Sequence, residues 1–198
     1  MDALYKLTDQ NMRTYGGHQW ELNTPAPPLD GKGDLCGPGY YHFYTHPLLA
    51  ILLNPIHAKI DNPRLFEARG KVEKTDHGLK VGVLTATLTK EIPLPKITVE
   101  QRVKFGILCA KKVYRDKCWN AWADNWLNGE NRTKEAAWAA RAATEAAAAT
   151  AAAEAARAAA WAATAARAAT EAAARAAAWA ARAAAAVDLI ALAEEACR

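Results

Sequence analysis

From Asn131 to Arg198 the chain contains neither glycine nor proline, and between Ala136 and Ala186 alanine fills 36 of 51 positions. Alanine has the highest intrinsic helix propensity, because its side chain loses no rotamer entropy and buries no polar group. A tract of this length passes the nucleation threshold without tertiary help. The sequence therefore predicts an alanine-rich helical arm over residues 131–198, either one long helix or a helical hairpin. The remainder is of a different kind. All nine prolines lie at or before Pro95, and all eleven glycines at or before Gly129. The expected class is α+β: a small antiparallel or mixed sheet domain with one or two helices over 1–97, a connecting helix over 98–130, then the arm.

The residues that interrupt the alanines carry the information in the arm. From Glu154 to Arg182 they recur every three or four positions, apart from the adjacent pair Thr170 and Glu171, so most fall on one stripe and leave an alanine face opposite. Arg167/Glu171 and Glu171/Arg175 have i,i+4 ion-pair spacing, each worth about 0.2–0.5 kcal/mol. Arg157/Trp161 and Arg175/Trp179 have the spacing of cation–π pairs. Trp138, Arg141 and Thr144 step by three, which rotates their stripe and predicts a bend or a change of partner near residues 145–150. A smooth alanine face lets helix backbones approach closely. It offers little energy per residue, since burial stabilises by roughly 25 cal/mol per Å² and alanine has little area. Extended contact is therefore required. As single helices, 98–128 would be about 45 Å long and 131–197 about 100 Å. Either the arm folds back at an unmarked break or another copy covers it. The apolar Val187, Leu189, Ile190 and Leu192 favour cover, and the expectation is a homo-oligomer.

Upstream, Ala3 to Thr8 and Tyr40 to Thr45 read as strands, with a weaker one over His18 to Leu22. The proline- and glycine-dense segment 23–39 reads as a loop. Pro47 opens a helix that Asn54-Pro55 is expected to end. Arg64 to Lys74 and Leu79 to Ile92 form an antiparallel hairpin about Asp76-His77-Gly78. Thr98 and Gln101 have capping-box spacing at the start of the connecting helix. Trp119, Trp122 and Trp126 make a 3-then-4 stripe on it.

Several classes are disfavoured by composition. The net charge of +4 is modest and spread out, with only +2 from the arm (five arginines against three glutamates over 136–186). The densest basic cluster, Arg102 to Lys117, suits a solvated helix face as well as it suits phosphate contacts, so nucleic acid is not the favoured partner. Cys36, Cys109, Cys118 and Cys197 form no CxxC pair, which argues for reduced thiols and no metal. Neither an apolar leader nor a transmembrane stretch is visible, so no membrane partner is expected. Ser-His-Asp order and phosphate-binding loops are absent, and no catalytic set or cofactor is expected.

Candidate binding residues lie in the segment GYYHFYTHP. His42 could act as a base or meet a ligand, with Tyr40, His46 and the strand residue Glu67 beside it; a packed histidine and a surface glutamate are the plainer alternatives. Trp119, Trp122, Trp126, Trp138, Trp161 and Trp179, with Arg157 and Arg175, form the candidate interaction surface. The first three are equally consistent with a core stripe. The threonines do not keep the 11-residue row that an alanine-rich ice-binding helix needs.

Tyr5-Lys6, Cys36, Gly39, Tyr40, His42, Phe43, Glu67-Ala68, Gly70, Val72 and Glu91-Ile92 together resemble a domain family of tailed-phage and metagenomic proteins, whose members carry short-period repeats after the domain. The chain departs from that pattern in an extra aromatic residue and in Tyr44, where a second cysteine is common. The resemblance implies phage origin and a host-cytoplasm location. The resulting expectation is a non-enzymatic phage protein that self-associates through its arm and binds a host component, including as a counter-defence inhibitor. The alternative is a nucleotide-binding or ADP-ribosyl-transfer-like domain.

Overall fold

The computed structural model describes residues 3–145, 151–163, 169–184 and 187–198. The architecture is α+β, in two compact units, Met1–Lys96 and Ile97–Arg198.

The first unit is built on an antiparallel sheet of β1 (Ala3–Thr8), β2 (Tyr41–Phe43), β3 (Arg64–Asp76) and β4 (Lys80–Ile92), in the order β1-β3-β4-β2. The β3–β4 turn has positive φ at both central residues, 48° at His77 and 78° at Gly78, and Leu79 N–H donates to the Asp76 carbonyl at 2.7 Å. This is a type I′ geometry, whose twist matches that of the flanking strands. The sheet curls until its outer strands meet: Tyr5 and Tyr44 exchange backbone hydrogen bonds of 2.8 and 2.9 Å. Leu4, Trp20, Phe43, Phe66, Val83 and Leu88 belong to one buried cluster.

Segment 23–29 is irregular but anchored. The N–H groups of Asn23, Ala26 and Leu29 donate to the carbonyls of Leu88, Ala86 and Leu84 on β4, at 2.7, 2.9 and 2.9 Å. Pro25, Pro27 and Pro28 lack a donor and fall between these positions. His18 to Leu22 makes isolated bridges at Gln19 and Leu22 instead of the expected strand.

Helix α1 (Pro47–His57) packs against β1. His46 caps it, Nδ1 accepting the Leu48 N–H at 3.3 Å. The helix does not stop at Asn54-Pro55 but runs through Pro55 to His57. A proline so close to the end forfeits little of the ladder, while Leu49, Leu52 and Leu53 are fully buried behind it. The Asn54 side chain then clamps the exit, donating to the Ile60 carbonyl at 2.9 Å and accepting its N–H at 3.1 Å.

The second unit contains α2 (Val99–Val113), α3 (Lys117–Leu127), α4 (Lys134–Glu145), α5 (Ala151–Ala162), α6 (Ala169–Ala183) and α7 (Leu189–Cys197). The capping box is present at the start of α2: Gln101 N–H donates to Thr98 Oγ1 at 3.1 Å, and Thr98 N–H donates to Gln101 Oε1 at 2.9 Å. Where one connecting helix is expected over 98–130 there are two. Tyr114 leaves the helical region at ψ 124°, and Asp116 caps α3 by accepting the Trp119 N–H at 2.8 Å. Arg115 closes α2 by donating to the carbonyls of Lys111 and Lys112, at 3.4 and 2.9 Å. A local cap thus outweighs the continuous helical periodicity.

The arm is neither a single rod nor a simple hairpin. Its described residues form four helices; α5 and α6 pack on each other and on α2, α4 packs on α5, and α7 packs on α2. In α6, nine alanines from Ala169 to Ala181 are buried, while Glu171, Arg175 and Arg182 face outward. The stripe reading therefore holds in α6, but the alanine side finds its cover within the same chain. Leu189 and Leu192 are likewise buried in α7. The physical motive for a second copy over the alanine face is removed, because close-packed neighbours supply the extended contact that alanine needs. The bend expected near 145–150, together with Thr150, Thr164 and the Arg167 half of one expected ion pair, lies outside the described residues.

Candidate functional site

Alternation along β1 puts Leu4, Lys6 and Thr8 on one face, and all three are buried. A lysine thus stands where an apolar side chain would be expected. Its ammonium nitrogen donates to the His42 carbonyl at 2.6 Å and lies 4.9 Å from the Phe43 ring centroid and 5.4 Å from that of Trp20. Desolvation by burial, with no carboxylate among the described residues offsetting it, brings its pKa from the ordinary 10.5 down to about 7.

Lys6 borders a cavity of about 280 Å³, whose lining also includes Cys36, His42, Tyr44, His57 and Lys80. These come from separate elements: the loop before β2, β2 and the residue after it, the last position of α1, and the first position of β4. Among the described residues, no aspartate or glutamate lines the space. The Nε2 of His42 is hydrogen-bonded to the Leu35 carbonyl. A carbonyl only accepts, so Nε2 carries the hydrogen. Burial is the largest influence on the His42 pKa and lowers it, as do the charges of Lys80 and Lys6; the Leu35 bond and Asp76 act in the opposite sense. The Tyr44 hydroxyl sits 3.3 Å from His57 Nδ1, with the two rings stacked at 5.9 Å. Burial drives the Tyr44 pKa upward, so the hydroxyl keeps its proton. At the open side, Lys80 Nζ lies 3.1 Å from the Sγ of the exposed Cys36.

His18 adds a further polar group in the same region. Its ring packs on Trp20 and Tyr41 at 4.7 and 4.8 Å, and its Nε2 is buried without a hydrogen-bond partner. Its pKa is lowered by burial first and then by the charge of Lys6.

Of the four ligand-binding residues proposed from sequence, only His42 lines this cavity. Tyr40 is buried, with its hydroxyl donating to the Gly31 carbonyl and Lys74 placed 5.1 Å from its ring centroid. His46 serves as the α1 cap. Glu67 lies partly buried on β3, where its backbone carbonyl accepts from the Thr89 hydroxyl at 3.3 Å. Lys6, Tyr44, His57 and Lys80 were not singled out as binding residues. Lys6 was detectable as a lysine at the inward parity of a strand. The others meet only through the packing of α1 and the curl of the sheet, which leave no local signal.

The proposed interaction surface divides. Trp119, Trp122 and Trp126 are buried, so their stripe is a core face; Trp119 Nε1 donates to the Ala156 carbonyl at 3.2 Å. Trp138 and Trp161 stay exposed, at 56% and 40%. Arg141, Arg157, Trp161, Glu171, Arg175 and Trp179 line a groove of about 360 Å³. The ring partners differ from those expected: Arg141 lies over Trp161 at 4.2 Å and Arg182 over Trp179 at 5.5 Å. Arg157 and Arg175 instead pair with Glu154 and Glu171, each at 2.5 Å. A carboxylate within reach holds a guanidinium more strongly than a ring face does.

The basic cluster expected on a solvated helix face is in part locally engaged. Lys111 pairs with Asp124, and Arg115 is held by backbone carbonyls. All four cysteines are free thiols. Among the described residues, no group of His, Cys, Asp and Glu side chains is placed to hold a metal ion, and no helix is long and apolar enough to cross a membrane. No protein-family model, curated protein or solved structure matches the chain.

Proposed function

We propose that this is a binding protein whose N-terminal unit holds a small anionic molecule in the Lys6–His42 cavity. One observation carries the reading: among the described residues, the lining includes two lysines and two histidines and no acidic side chain. Lys80, together with the charged form of Lys6, set against low-dielectric walls, supplies a field that favours an anion. The volume of about 280 Å³ sits near the lower end, roughly 300 Å³, of ligand pockets, which suits a compact carboxylate or phosphate ester. Calorimetry with a panel of small carboxylates, phosphates and nucleotides tests it, using His42→Ala and Lys80→Ala as controls. Binding of an anion by the parent chain, weakened in both variants, is the expected result. A parent chain that binds none of the panel overturns the reading.

A second reading is favoured by the exposed indoles of Trp138 and Trp161. On this reading the helical unit of a phage-encoded, non-enzymatic protein engages a host protein in the host cytoplasm, blocking a defence component. Aromatic side chains backed by arginine are enriched where protein partners dock. Capture from infected-host lysate, compared between the parent chain and the double variant Trp138→Ala, Trp161→Ala, tests it. Identical captured sets from both proteins overturn it.

A further inference from the structure

The cavity places an amine, two imidazoles and a hydroxyl around one small space. We infer that Lys6 is an imine-forming nucleophile, and that the ligand of this cavity is a carbonyl compound bearing an anionic group, such as a 2-oxo acid or an aldehyde carboxylate. The inference rests on the anion-binding reading and deepens it.

An amine attacks a carbonyl only through its lone pair, so a lysine reacts in proportion to its neutral fraction. Burial without a carboxylate partner is one of the ways in which a lysine is activated. Lys6 meets that condition: its side chain lies against Trp20 and Phe43, its ammonium nitrogen donates to the backbone carbonyl of His42, and its pKa of about 7 leaves much of it neutral at physiological pH. The titratable groups around it are His42 on β2, Tyr44 just after it, His57 at the end of α1, Cys36 and His18 on loops, and Lys80 on β4. Lys80, at the open side, is placed to meet the anionic group while Lys6 meets the carbonyl carbon.

The step balances without a co-reactant. The Lys6 nitrogen lone pair forms a bond to the carbonyl carbon, and the C–O π pair moves to oxygen. A proton passes from nitrogen to that oxygen, giving a carbinolamine. The C–O bond then breaks, the oxygen leaves as water after a second protonation, and the remaining nitrogen pair closes the C=N bond. Nothing is oxidised or reduced. In the lining, the protonated Tyr44 hydroxyl and the His57 imidazole beside it can donate and accept these protons.

The test is reductive trapping of the full chain with glyoxylate and cyanoborohydride at neutral pH, followed by peptide mass mapping. Each unit by which a lysine pKa falls gives about tenfold more neutral amine at neutral pH. Lys6 is therefore expected to be labelled at least about tenfold faster than the exposed Lys71, and Lys6→Met to lose that label. Folding of the variant is checked by near-ultraviolet circular dichroism. A second readout needs no variant: propanal, which lacks an anionic group, should trap at Lys6 more slowly than glyoxylate, and excess lactate should slow the glyoxylate reaction. Label spread over surface lysines with none favoured at Lys6 overturns the inference. If lactate binds by calorimetry while no Lys6 adduct forms, the imine chemistry fails and the anion site stands. If propanal and glyoxylate trap equally at Lys6 and lactate neither binds nor competes, the nucleophile stands and the anion reading fails.

Discussion

A Cβ placed on Gly106 of α2 would stand 3.0 Å from the Cα of Ala173 and 3.3 Å from its Cβ and carbonyl oxygen, all on α6. Two backbones pass here with nothing but hydrogen between them. In an exposed helix, replacing glycine by alanine gains roughly 0.8–1 kcal/mol from propensity. At this crossing the sign reverses, because the obstructing atoms are the main chain of Ala173 and its Cβ, none of which can rotate away.

Gly106→Ala is therefore expected to destabilise the helical unit, and Gly106→Val to do so by about 1–3 kcal/mol, the usual cost of overpacking. Urea unfolding followed at the helical dichroism band checks this; an unchanged or raised midpoint for Gly106→Val contradicts the close approach.

Ala176 and Ala177 of α6 are both fully buried. Ala177→Glu places a charge among methyl groups inside the chain, so it is expected to unfold the helical unit. If instead the alanine side joined separate copies, the same change would release folded monomers. Sedimentation velocity combined with circular dichroism distinguishes the two results.

Thr98 and Gln101 each satisfy the other's backbone donor at the start of α2. Thr98→Ala is expected to cost about 1 kcal/mol, within the range measured for lost N-caps. Thr98→Asp should retain most of it. Equal losses in the two variants would show that the cap is not what stabilises this end.

Lys6 makes stability depend on pH in a defined direction. Its folded pKa of about 7 lies below the ordinary 10.5. Between those values the unfolded chain holds a proton that the folded chain has released, so stability rises with pH across that window. Below about 7 the cost of burying the charge applies in full. Lys6→Met is expected to melt higher than the parent chain at pH 6, with the gap closing towards pH 10. Thermal melts of both proteins over this range decide it, and parallel curves would contradict the burial of an uncompensated amine.

Sequence pattern carried the locally determined features. The Thr98–Gln101 box, the Asp76–Gly78 turn and the inward alanines of α6 all depend on neighbours within a few residues, and each was legible. The break at Tyr114–Asp116 was not, because three polar or aromatic residues fit a helical stripe as well as they fit a linker, and only the Asp116 cap decides between them. The extension of α1 through Pro55 depends on leucines buried by β1, which no local rule weighs. In the candidate site, His42 stood out by composition. Lys80, His57 and Tyr44 did not, since their meeting is a property of the curled sheet and of where α1 ends.

The seam between Tyr5 and Tyr44 also governs what the first unit offers to other chains. An open sheet of this size would present two rows of unpaired amides on which an incoming strand could template itself. Here the middle of the first strand is already taken by its own chain, and the upper edge of β4 is occupied by the proline-bearing segment 23–29. Proline cannot extend such a ladder, so the unit carries a built-in defence against edge-to-edge aggregation at the place where its strands are longest.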